Sequence, residues 1–348
     1  MSEPYPIIIA EAGVNHDGDP AKALLLVDAA AAAGADFVKF QTFVPELVVA
    51  ARAAKAEYQK ARTGAAESQQ DMLRRLALDE AAHVALMTRC AERGIRFLST
   101  PFDAPSIALL ARLGLKTVKI PSGEVTNLPY LEAMGAVGWE IIMSTGMADL
   151  DEVAAAMAVL ERAGTPQGRV TLLHCTTEYP APVEEANLRA MRAMHAAFPA
   201  CKVGYSDHTL GLAAPLAAVA LGAAVIEKHF TLDRAAAGPD HAASATPEEL
   251  AALVRASRQA ALALGHGRKE PGPTERKNIP IVRKFLVAAR PIRAGEAFSA
   301  ENLVPKRTGA GGVSPMRLPE LLGRPARRDY APDQALGDEA FGGKGLQS

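Results

Sequence analysis

At 348 residues, 49% hydrophobic and 22% charged, the chain holds enough apolar residues for a substantial core, and α/β barrels of this size exist as single units. A formal net charge of −1 argues against binding to nucleic acid or an acidic membrane surface. Cys90, Cys175 and Cys201 show no CxxC spacing, and "MSEPYPIIIAEAG" lacks the basic flank and long apolar run of a leader or anchor, so a cytoplasmic protein with reduced thiols is expected.

In chain order, short β-branched runs alternate with Ala/Leu-rich helical stretches. The runs are "PIIIAE" from Pro6, "FVKFQ" from Phe37, "IRFLST" from Ile95 and "TVKIPS" from Thr117. "EIIMST" from Glu140, "VTLLHC" from Val170, "KVGYSD" from Lys202 and "AVIEKHF" from Ala224 complete the set. Helices are predicted over Pro20–Ala33, Asp79–Arg93, Leu150–Ala163 and Pro247–Leu264, the last announced by a Thr246 cap before Pro247, Glu248 and Glu249. Strict alternation implies a parallel sheet with right-handed crossovers, and eight such units imply an α/β fold of the closed (β/α)8 type. An open doubly wound sheet is the alternative, but no Gly-rich dinucleotide fingerprint follows the first strand.

After Leu264 the pattern breaks into the charged, Gly/Pro-rich "GHGRKEPGPTERKNIP". The expected division is a barrel over residues 1–265, a linker over 266–284 and a small domain over 285–348. Within that domain "ARPIRAGEAF" from Ala289 and "RRDYAPDQAL" from Arg327 echo one another, suggesting two related halves.

Barrel active sites lie at the C-terminal ends of the strands, and every strand here ends in polar residues. The ends carry Glu11; Lys39 with Gln41; Ser99 with Thr100; Lys119 with Ser122 and Glu124; Ser144 with Thr145; His174; Ser206-Asp207-His208; and Glu227 with His229. In "VIEKHF", alternation sends Glu227 and His229 one way and Lys228 the other. Two lysines among hydroxyls suit a multiply charged phosphate or carboxyphosphate. The lysines could equally pair with neighbouring acids such as Glu11 or Glu124, and the two readings are compatible in the free protein. His208 and His229, on adjacent strands, are either satisfied rim groups or two ligands of a Lewis-acid metal with open positions. Asp207, Glu227 and Asp240 are candidates to orient those imidazoles or the metal's waters.

These residues sit in long motifs. "IIIAEAGVNHDG", "GADFVKFQTF", "FLSTPFD", "VKIPSGE", "IIMSTGM", "LLHCTTEYP", "GYSDHTLG", "VIEKHFTLD" and "GPDH" together resemble the sialic acid synthase family. "VAARPIRAGEAFSAENLVPKRTGAGGVSP" resembles its C-terminal antifreeze-like (SAF, β-clip) domain. The resemblance covers nearly the whole chain. It implies a TIM barrel that condenses phosphoenolpyruvate with N-acetylmannosamine to give N-acetylneuraminate and phosphate. A legionaminate synthase using 2,4-diacetamido-2,4,6-trideoxymannose is the alternative.

By motif match, Lys39, Lys119, Ser122, Ser144 and Ser206, with Thr100 nearby, would hold phosphoenolpyruvate. Gln41, Tyr179 and Asp240 would contact the sugar, and His208 and His229 would hold a divalent metal, manganese being the usual choice in similar enzymes, with magnesium and cobalt as the alternatives. Glu11 and Glu124 are the candidates to position substrate hydroxyls or water and to accept its proton. The resemblance also implies a domain-swapped homodimer in which Arg307 of the SAF domain faces the sugar's N-acetyl group across the partner's barrel. Thr308 and Thr177 depart from residues common in the family, and Ala56–Leu73 follows a bacterial branch that includes legionaminate-type enzymes. A metal-dependent aldolase using free pyruvate is a more distant rival. Ice binding wants a flat, weakly polar surface, which the charged tail does not offer, and a sugar sensor would leave a metal pair beside a phosphate cradle without purpose.

Overall fold

The computed structural model describes residues 5–50, 53–55 and 67–342, so most of the stretch expected to mark the bacterial branch lies outside the described residues. The chain divides into two compact units, residues 1–265 and 266–348.

In the first unit eight parallel strands form: β1 (Ile7–Gly13), β2 (Phe37–Thr42), β3 (Arg96–Pro101), β4 (Thr117–Ile120), β5 (Glu140–Ser144), β6 (Val170–Cys175), β7 (Lys202–Asp207) and β8 (Val225–His229). β1 pairs with both β2 and β8, and β3 packs on β4, which closes the sheet into a barrel. The doubly wound alternative is thereby excluded. Helices Pro20–Ala33, Leu150–Ala163 and Pro247–Leu264 have the predicted bounds; the fourth runs Glu80–Arg93, because Asp79 caps it from outside by accepting from the Ala82 N–H. Asp149 and Thr246 each complete a capping box with a Glu three residues on. Gly34 ends the first helix in the left-handed region (φ 81°), where the chain turns towards β2.

Two apolar layers follow from the period-two alternation of the strands. Outward residues such as Ile8, Val38, Val118, Ile141, Leu172 and Ile226 pack beneath the helices. Inward, Ile9, Phe37, Leu98, Ile142, Leu173 and Val225 plug the lower barrel. Two residues further along the same strands, the inward positions turn polar: Glu11, Lys39, Thr100, Ser144, Cys175 and Glu227. The floor of the mouth is thus the next layer above an apolar plug. Gly204 lets β7 approach β8 closely, since a Cβ there would lie 2.4 Å from the Val225 carbonyl oxygen.

In the second unit β9 (Lys284–Ala288) pairs antiparallel with β10 (Leu303–Arg307). The segment expected as a linker contains two single-turn helices, Pro273–Arg276 and Ile279–Val282. The two echoing stretches pair with each other: the Ile292 N–H donates to Tyr330 O (3.0 Å) and the Tyr330 N–H to Ile292 O (2.9 Å). Phe298, Tyr330, Leu286 and Leu336 fill the small core they enclose. Among the described residues no helix is long and apolar enough to cross a membrane.

Candidate active site at the mouth of the barrel

Four charged side chains, all nearly sealed from solvent, form the floor. Lys39 Nζ lies 3.0 Å from Glu11 Oε2 and 3.6 Å from Glu227 Oε1, and Lys119 Nζ is 2.9 Å from the same Glu227 oxygen. Ser206 Oγ–H donates to that oxygen as well (3.0 Å), and Lys39 donates to Thr100 Oγ1 (3.2 Å). The pairing with acids considered for the lysines therefore holds for Lys39 with Glu11, whereas Lys119 pairs with Glu227.

The two carboxyls behave oppositely. Burial pushes Glu11 up to about 7 against the pull of Lys39. Burial also raises Glu227, but Lys119 and Lys39 together outweigh it and hold that carboxyl at about 2. Burial lowers the Lys119 ammonium despite Glu227 beside it, while Lys39 is raised because its two acids overcome the same burial. Crowded as the floor is, Glu227 Oε2, Ser144 Oγ and His229 Nδ1 are buried with no hydrogen-bond partner among the described residues. Buried polar atoms left so are ordinarily waiting for a ligand, ion or water.

The two imidazoles stand beside this floor with ring centroids 5.3 Å apart. His208 Nδ1 lies 2.7 Å from the Thr176 carbonyl oxygen, which can only accept, so Nδ1 carries the proton and Nε2 keeps its lone pair. Burial lowers His208 to about 4 and His229 well below its ordinary value, so both rings are neutral, the form that ligates metals. Tyr179 packs over His208 at 4.1 Å and stands edge-on to His229 at 5.5 Å.

Floor and imidazoles open on a cavity of about 340 Å³. Gln41, Thr100, Ser122, Ser144, Tyr179, Ser206 and Asp240 all line it, as do Glu11, Lys39, Lys119, His208 and His229. Burial raises Asp240 to about 6, with Lys39 opposing. Glu124 is not brought in: it lies past the end of β4 on a single turn, and its carboxylate accepts from Asn127 Nδ2 at 2.5 Å. Arg307 is exposed at the end of β10 in the second unit.

Several polar strand ends expected to converge on the rim face the helices instead. Ser99 donates to Phe40 O, Thr145 to Leu173 O, and His174 to Ala186 O. Asp207, expected to orient the imidazoles, points outward to Lys228 and Thr209, because its strand neighbours Ser206 and His208 occupy the inward phase. Sequence reasoning also missed Cys175 and the apolar wall of Phe43, Met72, Leu73, Leu76 and Phe102. The phase running Leu173, Cys175, Thr177 marks the first, whereas the wall depends on long-range packing. Gly146 closes tightly beside the same cavity: a Cβ there would lie 2.3 Å from Thr177 Oγ1, and its N–H donates to Ser122 Oγ at 2.9 Å.

A (β/α)8 barrel that collects lysines, hydroxyls and two neutral imidazoles at its C-terminal mouth is a barrel enzyme suited to a small polyanion. The NeuB family profile matches residues 26–269, and the SAF domain profile residues 283–341. The chain is 52% identical over 330 residues to the N,N'-diacetyllegionaminic acid synthase of Campylobacter jejuni, covering 95% of this chain and 98% of that protein. A protein of the same name from Legionella pneumophila is 44% identical over 318 residues, covering 91% and 89%. Among solved structures, the N-acetylneuraminic acid (sialic acid) synthetase of Leptospira borgpetersenii in complex with citrate superposes with a TM-score of 0.68 at 35% identity, over 79% of this chain and 91% of that one. The chain therefore belongs to the NeuB family, the sialic acid synthase family that its motifs resemble, and carries a C-terminal SAF domain.

Proposed function

We propose that this enzyme condenses phosphoenolpyruvate with an open-chain acetamido sugar, giving a nine-carbon 2-keto acid and inorganic phosphate. The observation that carries the reading is the buried floor, where two ammonium groups and the unpartnered Ser144 hydroxyl face one cavity beside two neutral imidazoles. Lys39 and Lys119 hold the carboxylate and phosphate of phosphoenolpyruvate as point charges, and Ser122, Ser144, Ser206 and Thr100 direct its oxygens. Gln41, Tyr179 and Asp240 hold the sugar above it. The methylene carbon attacks the aldehyde, water captures the cationic carbon left behind, and the C–O bond to phosphate breaks. Glu11, whose carboxyl sits at about 7, takes the proton from that water. Glu227 stays ionised and keeps both ammonium groups in place. No step is assigned to Glu124.

The orphaned His229 Nδ1 and the free Nε2 of His208 fit a divalent cation, with manganese as the reading. Among the described residues no third His, Cys, Asp or Glu completes a cluster, which leaves positions for substrate oxygens. When bound, such an ion supplies Lewis-acid polarisation of a carbonyl oxygen.

For the sugar we favour 2,4-diacetamido-2,4,6-trideoxymannose, because the relatives at 52% and 44% identity are named for the diacetyllegionaminic product. N-acetylmannosamine is the second reading, supported by the likeness to the Leptospira borgpetersenii synthetase. Phosphate release with each sugar, with and without chelator, separates the two. We expect faster turnover with the diacetamido sugar and loss of activity on chelation. Negligible rates with both sugars, or turnover with pyruvate in place of phosphoenolpyruvate, overturns the reaction. Full activity after metal removal overturns the imidazole site.

The proposal includes a cytoplasmic homodimer in which the SAF domain of a second copy caps the mouth and offers Arg307 to the sugar's acyl group. Arg307→Ala should raise the sugar KM about tenfold, as for a lost hydrogen bond to a charged group, and leave the phosphoenolpyruvate KM unchanged. An unaltered sugar KM removes the arginine from that role.

A further inference from the structure

Directly behind the two imidazoles, on the opposite face of the barrel wall, lies a buried ion pair. We propose that Lys228 and Asp207 are positioning residues that clamp β7 to β8 and preset the spacing of His208 and His229. This rests on the reading of those histidines as a divalent-cation site and adds to it residues that touch neither cation nor substrate.

Asp207 and Lys228 are register partners on adjacent strands, and the next residue of the chain after each is one of the imidazoles, His208 just past the end of β7 and His229 the last of β8. Because alternate residues face opposite sides, the ion pair and the imidazole pair sit back to back across the same two strand ends. Lys228 Nζ donates to Asp207 Oδ2 at 2.5 Å and to the Thr209 carbonyl oxygen at 2.7 Å. Asp207 Oδ1 accepts from the Thr209 N–H at 2.9 Å and from its hydroxyl at 2.8 Å. The residues on both sides of His208 are therefore tied to Lys228, which itself precedes His229. All three tied residues are sealed from solvent, Lys228 being 3% exposed and Asp207 and Thr209 each 1%.

Hydrogen bonds to the rings fix only one of them. His208 is held at Nδ1 by Thr176 O, and His229 Nδ1 has no partner among the described residues. Tyr179 packs against both rings, and the rest of their separation is set by the backbone beneath them, where the clamp acts. Stability alone explains the pair poorly, since a buried ion pair can often be replaced by apolar residues of similar volume without loss. Holding two ligands at a preset distance is a different task, in which supporting contacts govern metal affinity.

The test uses the full chain stripped of metal and Mn2+ alone as the probe, titrated calorimetrically. The Asp207→Asn/Lys228→Met double variant removes both charges, so no buried charge is stranded. Its Mn2+ Kd should rise about tenfold, the lower end for residues supporting a metal ligand. Phosphoenolpyruvate binding measured without metal, and cooperative thermal unfolding, should be retained. A folded double variant that binds Mn2+ as tightly as the parent overturns the clamp. Should the double variant not fold, Thr209→Val removes only the hydroxyl bond and should raise the Kd about threefold; an unchanged Kd there overturns the clamp equally. If the parent binds no Mn2+, the cation site fails and the clamp with it, an outcome visible in the parent alone.

Discussion

β7 and β8 carry polar groups on both faces, and the two faces treat them differently. Outward, Lys228, Asp207 and Thr209 satisfy one another, as do Thr42, His83 and Ser99 behind β2 and β3, where Thr42 Oγ1 lies 2.7 Å from both His83 Nε2 and Ser99 Oγ. Inward, at the same height, Glu227 Oε2, Ser144 Oγ and His229 Nδ1 are buried without hydrogen-bond partners among the described residues. Burial is similar on both sides, but hydrogen bonding is more complete outward, where on these two strands the Tyr205 hydroxyl is left without a partner among the described residues. The closed face spends its polar groups on geometry, and the open face keeps them for something that arrives.

Substitutions on the two faces should therefore separate activity from stability. The largest effect is expected from Lys119→Met, which removes one of the two floor cations: kcat/KM for phosphate release should fall about 10³-fold, in the range of a lost electrostatic donor. A loss below tenfold would place the reacting anion elsewhere.

Glu11→Gln should cost about 10²-fold and carries a pH signature. Since the ionised carboxylate is the base, parental kcat/KM should rise as pH rises through about 7, and the variant should lack that limb. Stability runs the other way. A carboxyl raised from 4.5 to about 7 favours the folded state below pH 4.5, and that contribution is lost as pH rises through 7. The parent should lose Tm across this window relative to Glu11→Gln, and parallel Tm curves would remove Glu11 as the raised group.

Next, Ser144→Ala should weaken phosphoenolpyruvate binding about tenfold, the worth of a hydrogen bond to a charged group, while leaving Tm unchanged, because its hydroxyl has no partner to lose among the described residues. A drop in Tm without a change in binding would reverse its assignment. The smallest effect belongs to the closed face: Ser99→Ala should cost about 1 kcal/mol of stability and leave turnover intact. Any change in KM there would break the distinction between the faces.

Much of this was legible along the chain because a strand's alternation is rigid. Once Ile9, Phe37 and Val225 are placed inward, Glu11, Lys39 and Glu227 must follow two residues later, and His229 two after that. The same rule, carried through, assigns Asp207 and Lys228 to the outside, and it fails only where strands end. Glu124 sits past β4 on a turn, outside the alternation, so the rule says nothing of where its carboxylate points, and it accepts from Asn127. The apolar wall had no local signal, since Phe43, Met72 and Phe102 come from three separate segments.

By itself the sequence determined the eight-unit barrel, its capped helices and the inward phase of the charged residues, because period, caps and β-branching act over a few residues at a time. Only the tertiary structure decided which lysine pairs with which acid, which carboxyl is raised and which lowered, and which buried atoms remain without partners. Those outcomes depend on distances between strands remote in the chain and on the burial that closure imposes on all of them together.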